Sequence, residues 1–145
     1  MPVMIMEHTE LIDMEKIREY FKGDQFVMGI GGVLLEVSPG YAKAKLDIEP
    51  RHLNGAGVVQ GGAIFTLADF AFAAASNSHG RSALGINCSI NYVKGISKGT
   101  LYAEATEDSL SPRIGSYTVR VTDQTGAVIA IFQGLAYRKN DPLQV

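Results

Sequence analysis

VQGGAIFTLADFAFAAASNSH, residues 59–79, is an apolar stretch in which Thr66 and Asp69 are the only polar residues between positions 63 and 75. Its apolar residues recur at helical spacing, and further apolar residues cover most of the remaining helix surface. A helix that is apolar all round is buried. This one is too short and too rich in Ala for a convincing membrane span, and it carries a carboxylate. The stretch therefore predicts a central helix wrapped by the rest of the chain, with Asp69 directed into low-dielectric surroundings.

The start of this helix is also unusual, because Gly61 and Gly62 stand where Ser, Thr or Asp would normally cap it. The free N–H groups of the first turn and the positive end of the helix dipole then form a small cup for negative charge. Without a Cβ, these residues allow a substrate oxygen to approach the amides closely. Together with Asp69, the cup suggests acyl-transfer or hydrolytic chemistry.

Length and composition set the broad class. The chain has 145 residues, enough for a single domain over 1–145, and its net charge of −2 gives no indication of nucleic-acid or membrane partners. One cysteine, Cys88, excludes an intrachain disulfide framework. The N-terminus lacks the pattern of a signal peptide, so we expect a cytoplasmic protein. His8, His52 and His79 are scattered, and no metal site is predicted.

The remaining chain predicts an α+β fold, an antiparallel sheet curled round the long helix. Residues 10–30 begin with a short amphipathic helix, and 24–30 are either another helical turn or loosened backbone. Two strands precede the long helix and four follow it. In the first strand after the helix, alternation predicts that Leu84, Ile86, Cys88, Ile90 and Tyr92 share one face and that Gly85, Asn87, Ser89 and Asn91 share the other. We expect the tail 139–145 to be frayed.

A motif then points to a family. Residues 51–62, RHLNGAGVVQGG, are followed by Leu67-Ala68-Asp69 and by Ala75-Ser76-Asn77-Ser78. This pattern resembles the phenylacetate-pathway (PaaI-like) branch of the hotdog-fold acyl-CoA thioesterases, over roughly residues 32–138. The resemblance implies a helix inside a sheet, a homodimer with a continuous sheet that is often a homotetramer, and hydrolysis of acyl-CoA thioesters. It implies no cofactor, since CoA is part of the substrate.

The resemblance also implies roles for individual residues. Asp69 would be the general base or nucleophile, and the Gly61 N–H would polarise the thioester carbonyl. Asn54 would help to position the carbonyl or the water. Many relatives have His where this chain has Gln60, which can hydrogen-bond a carbonyl or water but cannot act as an acid at neutral pH. Gly62 would lie in the substrate site, and Asn87 stands where relatives often carry a small polar residue near the attacking water.

Geometry adds a constraint on the site. Gly61 and Asp69 are separated by about 12 Å along one helix, at 1.5 Å per residue. A base and an oxyanion donor must both lie about 3 Å from the reacting group. Two helices packed antiparallel across a twofold axis would bring Gly61 of one chain near Asp69 of the other. We therefore expect two composite sites at a dimer interface.

Other features leave alternatives open. Lys94 and Arg113 lie in turns at strand ends and are candidates for binding the CoA phosphates. The alternative functions are a non-catalytic acyl-CoA sensor and a hotdog hydratase or dehydratase. The sequence does not decide the acyl group, attack by water or by the carboxylate, or dimer versus tetramer.

Overall fold

The computed structural model describes residues 13–145. Two short helices come first: α1, Met14–Phe21, is capped by the Asp13 side chain, and α2, Gln25–Ile30, is capped by the Asp24 side chain. Asp and Asn are favoured at such positions because their side-chain oxygens accept the free N–H groups of the first turn. The ambiguous segment 24–30 is therefore helical, and residues 10–12 of the predicted N-terminal segment lie outside the described residues.

Six strands form one antiparallel sheet in the order β1-β2-β4-β5-β6-β3. Their bounds are Val33–Ser38 for β1, Tyr41–Asp47 for β2, Arg81–Tyr92 for β3, Thr100–Leu110 for β4, Ile114–Asp123 for β5 and Val128–Pro142 for β6. Strands β1 and β3 are the two edges of this sheet. A 3₁₀ turn, Pro50–His52, lies in the connection between β2 and the long helix.

The long helix α3, Gly61–Asn77, lies in the concave side of the sheet and packs on all six strands. Ten of its residues are buried, among them Leu67, Ala68 and Phe70. At its far end the Asn77 side chain donates to the carbonyl oxygen of Ala83 at 3.2 Å and accepts from the N–H of Ala83 at 2.9 Å. The α+β prediction, a helix wrapped by an antiparallel sheet, is confirmed.

Phe72 of α3 sets the distance between helix and sheet. Its ring is 1% exposed and lies over Gly85 of β3 and Gly134 of β6. A Cβ added at Gly134 would come within 2.8 Å of the ring, and one at Gly85 within 2.9 Å. Glycine at both positions therefore lets the helix approach these two strands closely.

Strand β3 differs from the predicted alternation, because a β-bulge lies between Gly85 and Asn87. Leu84 is opposite Tyr137 and Asn87 is opposite Leu135, two residues apart on β6, so Leu84 and Asn87 share a face. Since Gly85 contacts Phe72, the face of Leu84 and Asn87 is the outer one. The predicted grouping of Leu84 with Cys88 and of Gly85 with Asn87 is wrong because the bulge inserts one extra residue into the strand.

The C-terminal segment also differs from the expectation. Strand β6 continues to Pro142, and Pro142 lies opposite Arg81 of β3. Leu143 is 8% exposed, and its N–H donates to the carbonyl oxygen of Gly80 at 2.8 Å. The first part of the predicted frayed tail is thus ordered strand, because pairing with β3 satisfies its backbone groups.

Candidate active site

The N-terminus of α3 carries free backbone donors. Gln60 occupies the cap position, but its side chain makes no capping hydrogen bond and is exposed. Within residues 13–145, the N–H groups of Gly61 and Gly62 have no acceptor, whereas those of Ala63 and Ile64 donate to the carbonyl oxygen of Gln60. The first turn therefore presents two amides and the positive end of a 17-residue helix to solvent.

These amides lie beside a cleft of about 570 Å³. The cleft wall is mostly apolar and includes three aromatic rings, and it is lined by Phe26, Ile30, Arg51, His52, Gln60, Gly62, Ala63, Phe65, Thr66 and Tyr92. Such a volume suits a small organic ligand. The predicted residues Gln60 and Gly62 are thus brought together at a cavity, next to Gly61.

His52 contributes to this wall but not to proton transfer. It is buried, its Nδ1 accepts from the N–H of Glu49 at 2.9 Å, and its Nε2 lies 2.7 Å from the carbonyl oxygen of Ile30. An Nδ1 that accepts requires the neutral tautomer with hydrogen on Nε2, which then donates to Ile30. Both ring nitrogens are therefore engaged, and His52 ties the loop before α3 to the end of α2.

Asp69 lies two turns along α3 from the free amides. Its side chain is exposed, and no partner within residues 13–145 forms an ion pair or a side-chain hydrogen bond with it. Partial burial of the carboxyl among protein atoms raises its pKa, and the negative charge of Asp24 raises it further. The predicted low-dielectric surroundings are thus only partly present, because one side of Asp69 opens to solvent.

Asp69 also lies close to the middle of β3. Burial raises the pKa of the Cys88 thiol, and the nearby Asp69 charge raises it further. Tyr92 contacts Gly61, whereas Phe72 contacts Gly85, so α3 runs antiparallel to β3. The exposed edge strand and the exposed carboxylate therefore belong to the same open side of the molecule.

Comparison with known proteins identifies the family. A sequence model described as the thioesterase superfamily matches residues 56–130, which is more than half of the chain. The chain belongs to the thioesterase superfamily. A protein of Archaeoglobus fulgidus is 41% identical to this thioesterase over 130 residues, which cover 88% of this chain and 84% of the relative.

Two further comparisons concern the protein PaaI of Escherichia coli. The acyl-coenzyme A thioesterase PaaI is 29% identical over 119 residues, covering 81% of this chain and 85% of the relative. The structure of the E. coli PaaI protein from the phenylacetic acid degradation operon superimposes with a TM-score of 0.82 at 27% identity, covering 86% of this chain and 91% of the other. The predicted resemblance to the PaaI-like hotdog thioesterases is confirmed.

Asn54 is occupied within the loop of this thioesterase. Its side-chain oxygen accepts from the N–H groups of Ala56 at 2.9 Å and Val58 at 3.3 Å. Such a turn is the ordinary use of Asn before Gly. Asn54 thus shapes the approach to the helix, and the structure does not place it in the cleft wall.

None of the other predicted binding residues lines the cleft. Asn87 is on the outer face of β3, next to a small polar depression and on the opposite side of the sheet from α3. Lys94 follows the C-terminal end of β3. Arg113 lies near the N-terminal end of β3, where its Nη1 donates to Oδ1 of Asn140 at 2.7 Å. A single chain therefore does not bring Asn87, Lys94 and Arg113 to the cleft.

One contact beside the cleft does not follow from the sequence pattern. The Tyr92 hydroxyl donates to the carbonyl oxygen of Gly61 at 3.0 Å, and its ring covers the Cα of that glycine. The hydrogen bond to α3 depends on how the bulged strand crosses the helix, which periodicity does not give.

Two further features, a metal-binding cluster and a membrane-spanning helix, are not found in the part of the chain that the structure describes. Among residues 13–145, no cluster of three or more His, Cys, Asp or Glu could hold a metal ion. In the same part of the chain, no helix has the length and apolar character needed to cross a bilayer.

Proposed function

We propose that the protein hydrolyses acyl-CoA thioesters to the free acid and CoA, in sites shared across a homodimer. The observation that carries this proposal is the free N-terminus of α3, which opens beside an aromatic-lined cleft and has a carboxylate two turns along the same helix. The E. coli relative is named an acyl-coenzyme A thioesterase, which supports CoA esters as the substrate class.

In the proposed reaction, the thioester carbonyl oxygen accepts a hydrogen bond from the Gly61 N–H. Attack on the carbonyl carbon moves an electron pair onto this oxygen, and the helix dipole stabilises the resulting charge. Asp69 either takes a proton from the attacking water or attacks directly to give an anhydride that water then opens. In both cases the C–S bond breaks, the thiolate of CoA takes up a proton, and the carboxylic acid is released.

Strand β3 is the proposed dimer contact. It is a sheet edge with unpaired backbone groups, and edges of this kind readily pair with another chain. Large apolar side chains on or just after it are exposed: Leu84, Ile86, Tyr92 and Val93. Antiparallel pairing of two β3 strands would cover these residues and extend the sheet from six to twelve strands.

The composite site fixes where the twofold axis must pass. If Gly61 of each chain meets the partner's Asp69, the axis runs level with Phe65, midway between them on α3. On β3, Tyr92 contacts Gly61 and Cys88 lies near Asp69. The axis would therefore cross β3 at Ile90, midway between these two residues. Phe65 and Ile90 are both only partly buried in the single chain, as residues at such an axis would be.

The same twofold axis would also bring together the residues predicted to bind the CoA phosphates. Lys94 and Arg113 lie near opposite ends of β3 in one chain. Antiparallel pairing of two β3 strands brings the end of one strand toward the beginning of the other. We propose that these residues from two chains flank one nucleotide, and that packing of two dimers gives a homotetramer in the cytoplasm.

The hydratase alternative needs a His–carboxylate pair at the cleft. His79 Nε2 lies 2.6 Å from Glu107 Oε2, but the same oxygen accepts from the Tyr117 hydroxyl at 2.8 Å. His79 follows the C-terminal end of α3, the end opposite to the free amides. The position of this pair weighs against its use on a ligand in the cleft.

Mixing two inactive variants tests the proposed composite site. Asp69→Asn lacks the base and Gly61→Pro lacks the amide donor, so each homodimer should release little thiol from CoA esters. Random re-association puts about half of the molecules into heterodimers, each with one intact site, and should restore about a quarter of the wild-type rate. The unmixed variants at the same total concentration are the control. No recovery despite verified subunit exchange would mean that each chain carries its own site.

The pH dependence of hydrolysis should follow the ionisation of Asp69 and respond to the nearby charge of Asp24. The pKa of Asp69 is raised in the folded protein, so kcat/KM should be full above that pKa and fall as the pH drops through it. Asp24→Asn removes the neighbouring negative charge and should move this acidic limb to lower pH.

Asp13→Asn is the matched control for this prediction, because Asp13 caps α1 as Asp24 caps α2. Asn keeps the capping ability in both cases. The comparison uses pH profiles of thiol release for the two variants and the wild type. An unchanged limb in Asp24→Asn, or an equal shift in Asp13→Asn, would exclude a specific effect of Asp24 on the base.

A further inference from the structure

Tyr92 connects the edge strand to the first turn of α3. Its hydroxyl donates to the carbonyl oxygen of Gly61 at 3.0 Å. Its ring lies so close that a Cβ on Gly61 would be 3.1 Å from the ring carbon Cζ and 3.2 Å from the hydroxyl oxygen. The tyrosine therefore holds one particular peptide group at the end of the cleft.

The same peptide group also carries an N–H without an acceptor in the described part of the chain. The carbonyl oxygen of Gly61 and the N–H of Gly62 belong to the same amide, and within residues 13–145 this N–H has no acceptor. Gly62 lines the cleft. A hydrogen bond received by an amide oxygen polarises the whole group and makes its N–H a stronger donor.

We propose that Tyr92 is a positioning residue that orients and polarises the Gly61–Gly62 peptide group, so that the Gly62 N–H serves as a second donor to the thioester carbonyl. This inference rests on the proposed thioesterase function. Two donors that converge on one oxygen stabilise developing negative charge better than one, provided that both are fixed beforehand.

A purely structural role is a weaker account of the contact. A helical carbonyl of the first turn already has a partner four residues on, so α3 does not need Tyr92 to satisfy Gly61. Thr66 gives a useful contrast, because its hydroxyl donates to the carbonyl oxygen of Gly62 at 2.8 Å within the same helix. Tyr92 instead reaches the helix from β3, the strand proposed to join the two chains.

Tyr92→Phe tests the proposal, because it keeps the ring packed on Gly61 and removes only the hydroxyl. Loss of a whole oxyanion donor costs about 100-fold or more in kcat. Weakening one donor should cost less, so we expect kcat for CoA-ester hydrolysis to fall about 3- to 10-fold with KM within about twofold of wild type. Tyr41→Phe is the matched control: its hydroxyl bonds Glu104 at 2.7 Å on β4, and its kinetics should not change.

The amide resonance of Gly62 gives a readout that does not depend on activity. In Tyr92→Phe without ligand, the ¹H and ¹⁵N shifts of Gly62 should move upfield, whereas Tyr41→Phe should leave them unchanged. An unmoved Gly62 resonance, an unchanged kcat, or a loss confined to KM would each overturn the role of Tyr92. If the wild type hydrolyses no CoA ester, the thioesterase proposal fails, whereas the Gly62 shift still tests the polarisation.

Discussion

Asp69→Asn should lower kcat/KM for CoA-ester hydrolysis by about 10²- to 10⁴-fold, the range that a positioned base or nucleophile contributes. Asn keeps the size of the side chain but cannot take a proton or attack a carbonyl. Because the folded protein raises the pKa of Asp69, its ionised form is disfavoured there relative to the unfolded chain. The neutral variant should therefore melt at the same temperature as the wild type or slightly above it at pH 7.

Thiol release and thermal unfolding measure these two effects separately. Asp141→Asn is the control, since Asp141 is an exposed carboxylate near the C-terminus of the chain. It should retain wild-type turnover. An Asp69→Asn enzyme within about threefold of wild type would remove Asp69 from the reaction, and would leave the fold and the family assignment intact.

Gly61→Pro should lower kcat by about 10²- to 10³-fold, as expected for the loss of an oxyanion donor. Proline lacks the N–H and is well tolerated at the first position of a helix, which Gly61 occupies. Gln60, the preceding residue, has ψ 132°, the extended conformation that proline requires before it. The substitution therefore removes the proposed donor while the helix can still form.

Gly61→Ala separates the missing donor from crowding. Both substitutions add a Cβ at 3.1 Å from the Tyr92 ring, but alanine keeps the N–H. We expect Gly61→Ala to lose far less activity than Gly61→Pro at similar stability, as judged by kinetics and thermal unfolding. Equal losses in the two variants would indicate that displacement of Tyr92 matters and that the Gly61 amide does not.

Much of the fold follows from periodicity in the sequence. The all-round apolar pattern of 63–75 predicts a buried helix. Helix α3 is buried because it packs against all six strands of the sheet. Apolar and polar residues alternate in 41–47 and 117–121, and these segments are β2 and part of β5, with every second residue buried. The pattern fails at β3, because a bulge changes the phase without leaving a clear signal in residue type.

The candidate site is predictable only in part. The pair Gly61 and Gly62 predicts free amides because the reason is local: no side chain caps the helix. The sequence does not place Asn87, because the face it lies on depends on the bulge in β3. It does not place Arg113 either, because its position near the beginning of β3 depends on the order of strands in the sheet. The exposure of Asp69 likewise depends on how far the sheet wraps, a property of the whole chain.

The bulge at Gly85–Asn87 affects how homologous sequences should be aligned. A relative with a regular strand here would carry one residue fewer between Ala83 and Cys88, so a correct alignment must open a gap inside what looks like an uninterrupted β-segment. Without that gap, residues that face the helix in one protein would be matched with residues that face away from it in the other. Comparisons between homologues at the position of Asn87 therefore depend on placing this single insertion correctly.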